Sequence, residues 1–174
     1  MLSIWWVLLS GRIRSMTAQI DMPQNLLVSD AVLPDLDSWM NLVSLVRSDF
    51  PGLETEELLA EHRKTVERFI RRGEVICARV DYAIVGTLLY STSKGMLCFL
   101  AVHPDFRGRG IASAMIDLML KRMPTQRTIT VSTYREGDPK GESARALYKK
   151  VGFEEGELGV EFGYPQQTFT LHRD

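Results

Sequence analysis

A chain of 174 residues is long enough to bury one substantial core and short enough to form one domain. Its 45% hydrophobic and 25% charged residues, with a net charge of −1, match an ordinary globular protein. That balance leaves no broad basic field to hold nucleic acid and no polybasic run to hold an anionic membrane surface.

The chain begins with an apolar hexamer, Ile4-Trp5-Trp6-Val7-Leu8-Leu9, followed by Arg12 and Arg14. A signal peptide carries its charge before a longer apolar stretch, and a membrane span needs roughly 20 apolar residues. Residues 1–22 therefore read as a leader. It either packs on the domain or on another chain, or is an upstream extension with Met16 as the natural initiator. Residues 23–174 read as a single domain, with a cytoplasmic location as the default. Cys77 and Cys98 lie inside apolar runs and read as buried thiols in a reducing compartment. His62, His103 and His172 show no ligand spacing, so no metal is expected.

Asn25 to Ala31 reads as a first strand. Pro34 opens a helix over Asp35 to Arg47, with Leu36, Met40, Val43 and Leu45-Val46 at helical spacing. Asp49-Phe50-Pro51-Gly52 breaks the chain, and a second helix runs from Thr55 to Arg72 and stops at Gly73. Val75 to Val80 and Ala83 to Tyr90 form a hairpin turning at Asp81-Tyr82. Met96 to Val102 is nearly all apolar and is expected to be buried on both faces. A helix follows over Ile111 to Met123, ended by Pro124, then a strand over Arg127 to Thr133. Ser143 to Val151 is a helix stopped by Gly152, and Phe153 to Leu158 and Gln167 to His172 are the last strands. The order β-α-α-β-β-β-α-β-α-β-β predicts an α/β (α+β) domain with a mixed sheet between helical layers.

The informative segment joins the Met96–Val102 strand to the next helix. Gly108 and Gly110 lack Cβ, so backbone can approach a ligand closely and adopt positive φ. Successive N–H groups at a helix start form a concave anion site, reinforced by the helix dipole. Arg107 and Arg109 can add charge-assisted hydrogen bonds. A pyrophosphate suits this arrangement best. The P-loop pattern is absent for lack of Gly-Lys-Ser/Thr, and the dinucleotide fingerprint for lack of its three-glycine spacing.

What remains, Arg107-x-x-Gly110-x-Ala112 after a strand ending Val-His-Pro, resembles the acetyl-CoA motif of the GNAT superfamily. Ala144 to Phe153 (ARALYKKVGF) resembles that superfamily's helix followed by Gly-Phe, and the element order from Asn25 onward also matches. Tyr164 to Leu171, with Tyr-Pro-x-Gln-x-Phe-x-Leu, is similar to bacterial members.

The resemblance implies a GNAT-like three-layer fold in which two parallel strands splay and a pantetheine arm enters the wedge. Backbone groups of Leu100, Ala101 and Val102 would pair with that arm. Arg107, Gly108, Arg109, Gly110, Ile111 and Ala112 would cradle the pyrophosphate. Tyr148 would protonate the departing thiolate, since a phenol pKa near ~10 lies above that of a thiol. Amides near Val102 would polarise the thioester carbonyl. Where the family often has asparagine, seven residues before Tyr148, this chain has Gly141. Ser143 is the nearest substitute, or a helix cap.

An attacking amine must be neutral, so a base or a water chain must take its proton. Glu74, Asp81 and Glu161 are the carboxylate candidates, beside relay through solvent. Tyr134, Glu161 and Tyr164 are expected on the acceptor side, under a lid made by the helices between Asp35 and Arg72. Glu54, Glu56, Glu57 and Glu61 read as a solvated helix face, and His103 as a structural turn residue.

The implied function is transfer of acetyl from acetyl-CoA to a primary amine of a small molecule or peptide, by direct attack in a ternary complex. A transferase using another acyl-CoA and a non-catalytic acyl-CoA-binding regulatory module are the alternatives. Neither nucleic acid nor membrane is an expected partner, and a homodimer is left open.

Overall fold

A computed structural model describes residues 22–173. The leader up to residue 21, and with it the question of Met16, lies outside the described residues. The strands are β1 (Leu26–Asp30), β2 (Val75–Val80), β3 (Ala83–Ser91), β4 (Met96–Val102), β5 (Ile129–Tyr134), β6 (Glu154–Glu161) and β7 (Tyr164–Leu171). The helices are α1 (Leu36–Val46), α2 (Glu56–Ile70), α3 (Ile111–Arg122) and α4 (Glu142–Val151). The strands form one seven-stranded sheet in the order β1-β2-β3-β4-β5-β7-β6, antiparallel except where β4 meets β5.

Local chemistry accounts for most of these boundaries. Thr55 caps α2, its hydroxyl accepting a hydrogen bond from the Leu58 N–H at 3.2 Å. The predicted helix from Asp35 to Arg47 keeps its core but is bracketed by 3-10 turns at Leu33–Asp35 and Arg47–Asp49. The Asp35 carboxylate holds the first of these turns, accepting from the Val32 N–H at 2.8 Å and from Arg79 at 2.5 Å. The β2–β3 hairpin turns through Asp81 (φ 48) and Tyr82 (φ 71), the two positive-φ residues that a tight right-twisted turn requires. β7 begins three residues earlier than its alternation suggests, because β6 pairs with it as far as Glu161↔Tyr164.

Both faces of the sheet carry a core. Met115, Ile116 and Met119 of α3 pack with Leu88, Ile129 and Phe169 on one face. Trp39 and Val43 of α1 and Val66 of α2 pack with Val75, Cys77 and Leu89 on the other. Each such side chain contributes about 1.5–3 kcal/mol on leaving water.

β4 departs from expectation. Met96 and Cys98 near its start are exposed, while beyond them Leu100 and Val102 pack on one core and Phe99 and Ala101 on the other. Tyr90 pairs with Leu97 and Leu89 with Phe99, which leaves Cys98 unopposed as the extra residue of a β-bulge. The bulge turns Cys98 outward, so only Cys77 is the buried thiol that the apolar runs suggested for both. Burial pushes the Cys77 thiol up to about 12, which keeps it protonated and inert.

His62 on α2 lies 4.9 Å from Phe99, ring centre to ring centre, and its buried Nε2 has no hydrogen-bond partner among the described residues. Burial pulls its pKa from 6.5 down to about 4, so the folded state holds it neutral. The associated stability is fully present above pH 6.5 and is lost as pH falls towards 4, by about 3 kcal/mol at most. Thermal denaturation should show Tm falling over that window and His62→Phe flattening the fall. An equal slope in the variant would assign the acid sensitivity to other groups.

Candidate functional site

β4 and β5 are parallel but pair only at Met96↔Thr130. From Leu97 onward, the β5-facing backbone of β4 pairs with no strand. Leu100, Ala101 and Val102 lie along this open edge, fixed on their other side by pairing with Leu88, Thr87 and Gly86 of β3. A wedge therefore opens towards the carboxyl ends of both strands, where the Gly-rich loop begins.

In that loop His103 has a structural role, as expected: its Nδ1 accepts from the Asp105 N–H at 3.2 Å and starts a short 3-10 turn. Gly108 (φ 74) and Gly110 (φ 76) hold left-handed backbone that a side chain disfavours. The first bond of α3 runs from the Ala114 N–H to the Gly110 carbonyl at 3.0 Å. The N–H groups of Ile111, Ala112 and Ser113 thus precede the helix's own bonds and point out of its first turn, which contains no acidic residue.

The two arginines divide. Arg107 donates from Nε to the Val102 carbonyl at 3.1 Å and from Nη2 to Asp49 at 3.0 Å. It ties the loop to the end of α1 and is already engaged. Arg109 forms no ion pair among the described residues and lies over Phe106, 5.3 Å from the ring centre. It is the cation left to face an anion.

Tyr148 lies on α4, only 4% exposed, between Phe153 and Phe169 at 5.7 and 5.8 Å. Its phenol makes no hydrogen bond among the described residues, and burial raises its pKa well above the ordinary tyrosine value. The group is therefore a fully protonated donor at any physiological pH. Arg145, one turn earlier on the same face, is buried too. It donates to Gln167 at 2.6 Å, pairs with Glu155 and stacks on Phe169 at 5.1 Å, fixing α4 against β7. Its spacing of three from Tyr148 was the available signal for that burial.

A cavity of about 260 Å³ lies across the mouth of the wedge on the α1–α2 side, lined by Arg47, Phe50, Glu54, Tyr134, Lys140 and Tyr164 among others. Phe50 reaches Phe99 of β4 at 4.6 Å, and Tyr134 ends β5, so the cavity borders β5 directly and β4 through Phe50. The Tyr134 hydroxyl donates to the Asp49 carbonyl at 3.1 Å, drawing the α1–α2 connection over the opening.

Tyr134 and Tyr164 line this cavity together, and Glu54 reaches its edge while staying exposed to solvent like Glu56, Glu57 and Glu61. The carboxylates considered as bases lie elsewhere. Glu74 accepts from the Thr92 N–H at 2.7 Å, Asp81 from Asn25 at 2.7 Å in the hairpin turn, and Glu161 is exposed on edge strand β6.

Gly141 has a steric reason to replace the family's asparagine. A Cβ there would stand 2.8 Å from the Tyr134 Cβ and 3.0 Å from its carbonyl oxygen. The insert folds back too tightly for any side chain. Gly141 itself occupies the cap position of α4, so Ser143 is not the cap; it lies exposed at the second helical residue.

Residues 39–153 match the family model described as the acetyltransferase (GNAT) family. An acetyltransferase of Sodalis glossinidius is 31% identical over 81 residues, covering 45% of this chain and 56% of that protein. The match therefore spans little more than half the length of this curated relative. A GNAT-family acetyltransferase from Bacillus cereus superposes with a TM-score of 0.67 at 25% identity, over 85% of this chain and 97% of that one. A proposed acetyltransferase from Salmonella typhimurium, solved with its cofactor acetyl-CoA, gives 0.68 over 86% and 95%. At 12% identity, that second likeness speaks for the fold alone. No helix among the described residues is long and apolar enough to cross a membrane.

Proposed function

Because the chain belongs to the GNAT family of acetyltransferases, we propose that it moves an acetyl group from acetyl-CoA to a primary amine by direct attack in a ternary complex. The observation that carries this reading is the parting of β4 from β5 after Met96, directly ahead of the unpartnered amides that start α3.

Acetyl-CoA, when bound, supplies an activated thioester. The open edge of β4 at Leu100, Ala101 and Val102 offers backbone groups to an amide-bearing arm, apart from the Val102 carbonyl, which accepts from Arg107. The loop from Gly108 to Ala112 offers N–H donors and Arg109 a positive charge to a pyrophosphate, with Arg107 holding the loop in place. Tyr148 can give its proton to a departing thiolate, and its raised pKa keeps that proton available. None of Glu74, Asp81 and Glu161 lines the cavity, which favours removal of the amine proton through solvent.

Titration calorimetry with acetyl-CoA, followed by thiol release over a panel of primary amines, tests the reading. Saturable binding and amine-dependent thiol release are expected. An absence of acetyl-CoA binding would end it, and binding without release from any amine would leave a non-catalytic binding module in its place.

A further inference from the structure

The acceptor cavity carries more information than its position. Of its three charged lining groups, Arg47 is engaged, pairing with Glu56 at 2.6 Å and donating to the Glu54 carbonyl at 2.9 Å. The Lys140 ammonium donates to the Ser48 carbonyl at 2.7 Å and has no carboxylate partner among the described residues. Both carboxylate oxygens of Glu54 accept from the Gly52 N–H at 3.0 Å, and no cation pairs with them among the described residues. One free cation and one free anion thus line the same cavity, each anchored to backbone and not joined to the other.

From this arrangement we infer that the acceptor is a small zwitterion of the free α-amino acid class, with its carboxylate recognised by Lys140. The inference rests on the acetyl-transfer reading above. A simple amine would leave Lys140 without a counter-charge, and a dianionic amine would be repelled by Glu54. A volume of about 260 Å³ equals roughly nine water molecules, room for one amino acid. Phe50, Tyr134 and Tyr164 supply apolar walls for its side chain.

The cation is also placed by the fold. The close approach of Gly141 to Tyr134 turns the insert back over the end of β5, and the Lys140 ammonium lies 6.0 Å from the Tyr134 ring centre. The wedge lies beside this cavity. A carboxylate held at Lys140 leaves the amine, two bonds away, free to face it.

The test measures thiol release from acetyl-CoA with free L-amino acids, each beside its own α-carboxamide. Basicity alone favours the amide, whose amine is more often neutral, so the opposite preference reports carboxylate recognition. At least one amino acid should exceed its amide in kcat/KM by about fivefold or more, mainly through KM and less so at high salt. Lys140→Met should erase that preference and Lys140→Arg should restore it.

Equal or better turnover of every amide, or a preference that survives Lys140→Met, would overturn the inference. Thiol release with peptides or alkylamines alone would overturn it too, while acetyl transfer would stand. Failure of acetyl-CoA to bind would remove both.

Discussion

Replacing Tyr148 with phenylalanine should lower kcat by about 10²-fold or more, the usual scale for loss of a positioned proton donor. Acetyl-CoA affinity should change little. The variant is clean because the phenol makes no hydrogen bond among the described residues, while the ring packs between Phe153 and Phe169. Phenylalanine keeps that packing, so Tm should hold. Steady-state thiol release and calorimetry on the same preparation separate the two effects. If kcat stays within about threefold, Tyr148 is a core aromatic only.

The pH dependence of that reaction follows in sign. Burial raises the Tyr148 pKa, so its proton is retained through neutral and moderately alkaline solution. The acceptor amine, by contrast, becomes reactive as it loses its proton. The rate should therefore rise with pH and show no alkaline fall from the phenol below about pH 10.

Replacing Gly110 with aspartate should weaken acetyl-CoA binding by about 100-fold or more. Two effects act together. Gly110 has φ 76, a left-handed conformation that costs a side chain about 1–2 kcal/mol. The new carboxylate would also stand at the amides of Ile111, Ala112 and Ser113, where it would compete for the donors and repel phosphate. Gly110→Ala separates these terms, since it brings the strain without the charge and should cost less. Circular dichroism would check that both variants fold. Unchanged affinity in Gly110→Asp would remove the pyrophosphate assignment from this loop.

Much of this architecture was legible in the chain because its signals are local. Helical spacing in α1 and α2, the Thr55 cap, and the positions of Gly73 and Gly152 each act within a few residues. The element order follows from them. The loop from Arg107 to Ala112 was legible for the same reason: its glycines set backbone geometry at their own positions, and the helix they start supplies its own orphan donors. Tyr148 stood out through its place ahead of Gly152-Phe153.

Other features depend on which strands become neighbours. The apolar run of β4 suggested burial on both faces. Its near lack of pairing with β5 and the bulge at Cys98 are properties of the register between strands, invisible along either one. Arg107 stands out in the loop by its charge, but only the fold brings Asp49, 58 residues away, within 3.0 Å of it. Gly141 looked like a missing asparagine until the fold placed it against Tyr134.

The loop that starts α3 and the phenol of Tyr148 were determined by sequence alone, because backbone conformation and helical spacing act over a few residues. The cavity between the α1–α2 connection and the end of β5 was decided only by the tertiary structure. Arg47, Glu54, Tyr134, Lys140 and Tyr164 come from distant segments that meet only when β5 and β7 pair and α1 packs beneath the sheet.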